Sequence, residues 1–156
     1  MQSDSFERLK IKTKDFYGGI DTIQCPALNA KIHFTSEGFN HLRYSKKRER
    51  PLKMQEAKLQ LVPKGKKLLE KTSTIQEYCD GLEMIRRKKH KKTVKESVMV
   101  QYWGFIAIIN GTRLKVVVRR VDNGKYLFWS TVPLWRSTKY DKYSVIDRST
   151  GDLTED

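Results

Sequence analysis

Three histidines, His33, His41 and His90, are the side chains that can exchange a proton near neutral pH without a shift in pKa. His33 lies in the apolar segment KIHF, which favours a structural role. His90 lies among lysines and arginines, where its protonated form is disfavoured, so we assign it to a binding run. His41 comes late in a predicted helix and just before a cationic loop. It is therefore the best candidate for a general base.

The residue types present suit RNA cleavage without a metal ion. The sequence has no GxGxxG, Walker or HExxH motif, and its acidic residues are scattered, which argues against a two-metal nuclease. Metal-independent cleavage needs a base for the 2′-hydroxyl, cations for the phosphorane and an acid for the leaving 5′-oxygen. Histidine, arginine, lysine, tyrosine and serine can supply all three. We expect no metal site and no cofactor.

A predicted β-hairpin fixes which of these side chains share a surface. Residues 98–109 and 112–121 are rich in β-branched and aromatic residues, and Asn110-Gly111 between them favours a type I′ turn. A two-residue turn places residues whose numbers sum to 221 opposite each other. The expected core face carries Trp103, Phe105, Ala107, Leu114, Val116 and Val118. The other face carries Tyr102, Gly104, Ile106, Ile108, Arg113, Lys115, Val117 and Arg119.

Tyr102 and Arg119 are predicted to be direct cross-strand partners on this second face. A phenol and cationic groups on one sheet surface suit a phosphate backbone and a stacked base. The alternative is that an exposed sheet face carries charges only to stay soluble and monomeric. We favour a functional role for the pair.

The turn at Asp122-Asn123-Gly124 leaves the register of the last strand open. A two-residue turn puts Phe128 and Ser130 on the Arg119 face and Trp129 in the core. A three-residue turn puts Trp129 and Thr131 on the Arg119 face instead.

The charge balance predicts a polyanionic partner. Lysine and arginine number 32 against 18 acidic residues, a formal net charge of +14. Neutralised phosphates release counterions, which drives association with nucleic acid. Two runs, 43–53 and 86–95, concentrate the charge, and we interpret them as walls of a nucleic-acid groove, although such runs are often only solvated segments. The binding residues expected from these runs are Arg43, Lys46, Lys47, Arg48, Arg86, Arg87, Lys88 and Lys89. Lys115 joins them from the second sheet face.

Helices in the first half and strands in the second half predict an α+β fold, with N-terminal helices packed on an antiparallel meander of three to four strands. Residues 1–30 are expected to be an arm or irregular lead-in, 31–146 a single basic domain and 147–156 a frayed acidic tail. Helices are predicted after Thr35 or Ser36, from 51 to about 62, and through Lys71. Residues 82–92 are either a strand or a solvated loop. Pro133 is expected to end the last strand.

Nothing in the sequence resembles a membrane span or a signal peptide, so we expect a cytoplasmic protein. Cys25 and Cys79 do not require a disulfide, and their spacing from the histidines makes a zinc site improbable.

Two segments resemble a known group of nucleases. HFTSEGFNHLRYSKKRER resembles the helical, histidine-bearing region of phage-associated members of the BECR fold, which groups barnase, EndoU, colicin-type and RelE-like nucleases. VVVRRVDNGKYLFWST resembles their arginine-bearing strand and the last strand, which ends in a hydroxyl residue. The likeness covers roughly residues 31–135.

The resemblance implies roles for particular residues. His41 would be the catalytic base or acid, Arg119 or Arg120 would stabilise the phosphate, and Ser130 or Thr131 would bind it. The chain lacks a second histidine placed to complete an EndoU-like pair, so His41 would act with lysine, arginine or tyrosine.

The sequence therefore predicts an endoribonuclease of toxin or effector type that cuts RNA by 2′-hydroxyl attack and leaves a cyclic phosphate. The alternative is a non-catalytic RNA- or DNA-binding module in which Tyr102, Trp129 and Trp135 stack on bases. A third possibility is that the basic face docks an acidic antitoxin or immunity protein.

Overall fold

The computed structural model describes residues 2–45, 48–136, 145–147 and 153–156. Four helices are present in this part of the chain: α1 (Gln2–Gly18), α2 (Ser36–Arg43), α3 (Leu52–Gln60) and α4 (Val62–Lys71). The strands are β1 (Thr22–Cys25), β2 (Ala30–His33), β3 (Tyr44–Ser45), β4 (Arg48–Glu49), β5 (Glu77–Lys89), β6 (Lys92–Ile109), β7 (Thr112–Val121), β8 (Tyr126–Arg136) and β9 (Val145–Asp147). The α+β class expected from the sequence is confirmed.

The main sheet has the order β1-β2-β8-β7-β6-β5, and β9 pairs with the far end of β8. Strands β5 to β8 form the antiparallel meander, which has four strands. The β1–β2 hairpin extends the sheet beyond the three to four antiparallel strands predicted, and β2 runs parallel to β8. Strands β3 and β4 form a separate small hairpin.

The β6–β7 register agrees with the prediction, because Tyr102 lies opposite Arg119 and every pair between Val100 and Ile109 follows the same two-residue turn. Asn110 and Gly111 both have positive φ, as a type I′ turn requires. The predicted core face lies under the helices, where Phe105, Leu114, Val116 and Val118 are fully buried. The opposite side of the sheet, on which Tyr102, Lys115 and Arg119 lie, is called the Arg119 face below.

The first 30 residues differ from the irregular lead-in expected from the sequence. Residues 2–18 form α1, and Phe6 and Tyr17 are buried in the main core. The Tyr17 ring contacts those of Phe34, Phe39 and Phe128 at centroid distances of 5.4, 5.4 and 5.7 Å. This segment therefore packs in the same core as the meander.

Strand β8 differs from both registers considered for it. Val118 pairs with Phe128 and Val117 pairs with Ser130, so a β-bulge leaves Trp129 as an extra residue. Phe128 consequently lies in the core. Trp129 contacts Arg119, and Ser130 pairs with Val117 of the Arg119 face. Pro133 does not end the strand, which continues to Arg136.

The β5–β6 hairpin extends beyond the rest of the sheet. Strand β7 pairs with β6 only from Val100 onward, whereas β5 and β6 stay paired out to Lys89 and Lys92. The segment 82–92, left open as strand or loop, is therefore mostly strand. His90 and Lys91 form its two-residue turn with φ of 51° and 65°. We call residues 84–97 the distal hairpin.

Candidate nucleic-acid interface

Helix α2 lies unusually close to β8. A Cβ atom built on Gly38 would lie 2.1 Å from the backbone oxygen of Phe128 and 2.8 Å from the Tyr17 hydroxyl. Only glycine fits at this position, because real Cβ contacts are never so short. The close approach brings the end of α2 against the bulge in β8, where the His41 and Trp129 rings stack at 4.6 Å between centroids.

The structure places His41 where it is a poor general base. Its Nε2 atom lies 3.1 Å from the Arg50 guanidinium, and Arg50 Nε donates to the His41 backbone oxygen at 3.0 Å. Burial, together with the charges of Arg50, Lys58 and Arg119, lowers the pKa of the imidazole to about 2. The ring is therefore neutral at physiological pH and has little affinity for another proton.

Arg119 and Tyr102 are brought together as the sequence predicts. The Arg119 Nε donates to the Tyr102 hydroxyl at 3.1 Å, and that hydroxyl donates to Glu83 at 2.7 Å. Glu83 also contacts Arg119 at 3.4 Å, and Glu37 lies 3.9 Å from the same guanidinium. Burial raises the pKa of the Tyr102 hydroxyl, so it remains a donor.

Trp129 links His41 to the Arg119–Tyr102 pair. The Arg119 guanidinium lies 4.3 Å from the centre of the indole, close enough for a cation–π contact. The buried indole N–H has no hydrogen-bond acceptor among the described residues. His41, Trp129, Arg119, Tyr102 and Glu83 thus form one continuous cluster on the Arg119 face.

Ser130 and Thr131 are fully buried and contact Lys58 from α3. The Lys58 ammonium donates to Ser130 Oγ and to the Thr131 backbone oxygen, both at 2.9 Å. The Thr131 hydroxyl donates to the Lys58 backbone oxygen at 2.7 Å. Burial and the nearby Arg50 lower the pKa of Lys58 well below its usual range. The Ser130 hydroxyl therefore faces the Lys58 amino group, and the Thr131 hydroxyl faces the Lys58 backbone, rather than open solvent.

Lys115 was expected on an exposed surface but is fully buried. Its ammonium contacts Glu77 at 3.2 Å and Asp156 at 2.5 Å. Arg120, its neighbour in the predicted binding set, lies on the other face of β7, where it donates to the Gly124 backbone oxygen and lies 4.8 Å from the Tyr126 ring centre.

The remaining basic candidates divide into two groups. Arg43 and Arg48 lie around the β3–β4 hairpin, where Arg43 donates to Gln55 at 3.1 Å and Arg48 is exposed. Lys46, Lys47 and the Trp135 side chain lie outside the described residues. The second group is on the distal hairpin, where Arg86, Lys88, Lys89, Lys91, Lys92 and Lys95 are exposed and Arg87 is partly exposed.

Few acidic groups neutralise the distal hairpin. Arg87 pairs with Asp122 at 2.9 Å and with Glu96 at 3.6 Å, and Lys89 also pairs with Glu96. Among the described residues, the other hairpin cations have no carboxylate partner within ion-pair distance: Arg86, Lys88, Lys91, Lys92 and Lys95.

Sequence reasoning missed Arg50, Lys58 and Glu83. Lys58 had a visible signal, because it lies one residue before Leu59 and four before Val62, on the face that α3 and α4 bury. Arg50 was treated only as part of a basic run. The position of Glu83 on the Arg119 face follows from the β5–β6 pairing, which puts it opposite Val98. That pairing was not predicted.

In the part of the chain that the structure describes, no group of three histidine, cysteine or acidic side chains is arranged to hold a metal ion. None of the described helices combines the length and apolar character needed to cross a membrane. Comparisons with protein-family models, curated proteins and solved structures found no match.

Proposed function

We propose that this protein binds nucleic acid, and specifically RNA, through the distal hairpin. The observation that carries the proposal is the seven lysines and arginines on a two-stranded ribbon that extends past the sheet. Five of them have no carboxylate partner among the described residues. A solvated strand pair needs some charge to remain soluble. The unneutralised positive charge on this hairpin also creates a positive electrostatic potential that suits several phosphates.

The shape of the hairpin supports the same conclusion. A strand rises about 3.4 Å per residue, so the paired segment beyond Val100 spans on the order of 25 Å. A two-stranded ribbon of this kind fits a nucleic-acid groove or lies along a backbone. Cations on both of its faces can contact phosphates on either side.

The test is a change of charge on the hairpin with a matched control. Arg86→Gln, Lys88→Gln and Lys92→Gln together remove three exposed cations that have no carboxylate partner among the described residues. Arg8→Gln, Lys12→Gln and Lys14→Gln remove the same residue types from exposed positions on α1. We expect the hairpin variant to bind a labelled RNA about tenfold or more weakly at 100 mM salt, and the α1 variant to bind within about twofold of wild type. Equal losses in both variants would contradict the proposal.

RNA cleavage is the second candidate function, and the Arg119–Tyr102–Glu83 network favours it. Arg119 can stabilise charge on a phosphorane, Tyr102 can donate a proton, and the Glu83 carboxylate can accept one. Glu83 here takes the role expected of His41, whose Nε2 is engaged by Arg50 and whose pKa is low.

Cleavage is tested with total RNA in EDTA, comparing wild type with Arg119→Ala and Tyr102→Phe. Arg120→Ala is the control, because it removes the same charge from the opposite face of the strand. Cyclic-phosphate ends formed by wild type and by the control, but reduced at least a hundredfold in the other two variants, would support the enzyme. Intact RNA after incubation with wild type would leave the binding function alone.

An acidic antitoxin or immunity protein, the partner considered from the sequence, would bind the same exposed cations. That partner stays a prediction.

A further inference from the structure

The segment Leu153–Asp156 lies against the Arg119 face instead of fraying as the sequence suggested. Leu153 is 3% exposed and packs in a second apolar cluster with Val98, Val100 and Val117. Its side chain lies beside Gly104, where an added Cβ would come within 3.1 Å of it. Asp156 is 1% exposed. The four residues therefore occupy a fitted position in the protein.

Three basic side chains converge on this segment. Lys58 donates to the Asp156 backbone oxygen at 2.6 Å, and Lys115 contacts the Asp156 carboxylate at 2.5 Å. Arg50 reaches the Glu155 backbone oxygen with both terminal nitrogens at 3.4 Å. The Ser130 hydroxyl adds a donor to the Asp156 backbone oxygen at 2.7 Å.

This arrangement is costly for a purely structural contact. Desolvating an ammonium group is expensive, and two lysines here are at most 2% exposed. Glu77 contacts Lys115, whereas Lys58 donates to the Ser130 hydroxyl and to the backbone oxygens of Thr131 and Asp156. Several donors that converge on clustered oxygens match the requirement of a tetrahedral anion, which offers several acceptor oxygens at one point.

The surroundings have room for a nucleotide. An open pocket of about 610 Å³ adjoins the segment, lined by Ser45, Arg48, Glu49, Arg50, Pro51 and Glu155. Its volume lies within the range of small-molecule sites. Arg50 connects this pocket to the His41–Trp129 ring pair through its contact with His41 Nε2.

We propose that Arg50, Lys58, Lys115 and Ser130 form a subsite for a backbone phosphate of the bound nucleic acid, and that segment 153–156 occupies this subsite as an internal competitor. The inference rests on the nucleic-acid binding proposed above. The Asp156 carboxylate and the backbone oxygens of Glu155 and Asp156 take the places of phosphate oxygens. Release of the segment exposes the cations to the ligand, and the hairpin holds the rest of the strand.

The test uses the full chain with three substitutions in the segment: Leu153→Ser, Glu155→Gln and Asp156→Asn, called the released variant. Its control, Asp4→Asn with Glu7→Gln, removes the same number of acidic charges from α1. A labelled single-stranded RNA of twelve nucleotides is titrated by fluorescence anisotropy at several salt concentrations. We expect the released variant to bind about tenfold more tightly at 150 mM salt. The slope of log affinity against log salt concentration should be steeper by about 0.7 per added phosphate contact. The control should change affinity less than about twofold.

Lys115→Gln added to the released variant should abolish the gain. Arg50→Gln, at a less buried position, carries the same expectation if Lys115→Gln does not fold, as judged by circular dichroism. The proposed subsite is overturned if the released variant gains no more affinity than the α1 control. It is also overturned if the gain survives both Lys115→Gln and Arg50→Gln. If wild type binds through the hairpin but the released variant gains nothing, only this inference fails. If neither protein binds RNA, the proposed function fails with it.

Discussion

The His41 imidazole is held neutral by its surroundings, and this has a consequence for stability. Its pKa is about 2 in the folded protein but about 6.5 in an unfolded chain. Below pH 6.5 the unfolded state binds a proton that the folded state does not bind. The contribution of His41 to the free energy of unfolding is therefore complete above pH 6.5 and is lost as the pH falls toward 2.

We expect acidification from pH 7.5 to pH 5.0 to lower the free energy of unfolding by up to about 2 kcal/mol through this residue. His41→Gln keeps a polar side chain that can accept a hydrogen bond from Arg50, but it removes the titration. Urea unfolding of both proteins at the two pH values measures the difference. An equally steep pH dependence in His41→Gln would show that other groups are responsible.

At the scale of elements, the position of the whole cluster depends on how closely α2 approaches β8. Gly38→Ala would force these elements apart, because its Cβ would overlap the Phe128 backbone oxygen. We expect a loss of about 2 kcal/mol or more in the free energy of unfolding. The fluorescence of the tryptophans should change too, because the His41–Trp129 contact loosens.

Gly18→Ala is the matched control, since an added Cβ there meets no atom within 4 Å and the residue ends a helix. Thermal unfolding of the two variants beside wild type measures the difference. Equal stability in Gly38→Ala and Gly18→Ala would contradict the steric argument.

The same elements show how far sequence reasoning extends. Asn110-Gly111 determined the β6–β7 register because a two-residue turn leaves no freedom, so Tyr102 and Arg119 were paired correctly. The bulge at Trp129 was not predictable, because an extra residue depends on packing against α2 rather than on turn chemistry. Residues 153–156 are polar at three of four positions, and their burial depends on cations that lie distant in sequence.

At the scale of the molecule, the net charge of +14 is distributed unevenly. Arg50, Lys58 and Lys115 lie beneath segment 153–156, whereas the distal hairpin projects its cations into solvent. Binding of wild type should therefore weaken steeply with salt, chiefly through the hairpin.

We expect the slope of log affinity against log salt to fall by about two units in the Arg86/Lys88/Lys92 variant, at roughly 0.7 to 0.9 per lost phosphate contact. Titrations between 50 and 300 mM salt measure the slope. The Arg8/Lys12/Lys14 variant should keep the wild-type slope. A parallel decrease in both would mean that net charge, rather than the hairpin, governs binding.

The parallel pairing of β2 with β8 joins Ile32 to Tyr126 and His33 to Leu127, residues that are far apart along the chain. During synthesis β2 is made long before β8, so β2 can pair with β8 only after β8 has left the ribosome. The β5–β8 meander closes short loops and can form first. Pulsed hydrogen exchange during refolding should accordingly protect β6 and β7 before β2. The apolar face of the early hairpin is meanwhile open to chaperones and to other nascent chains.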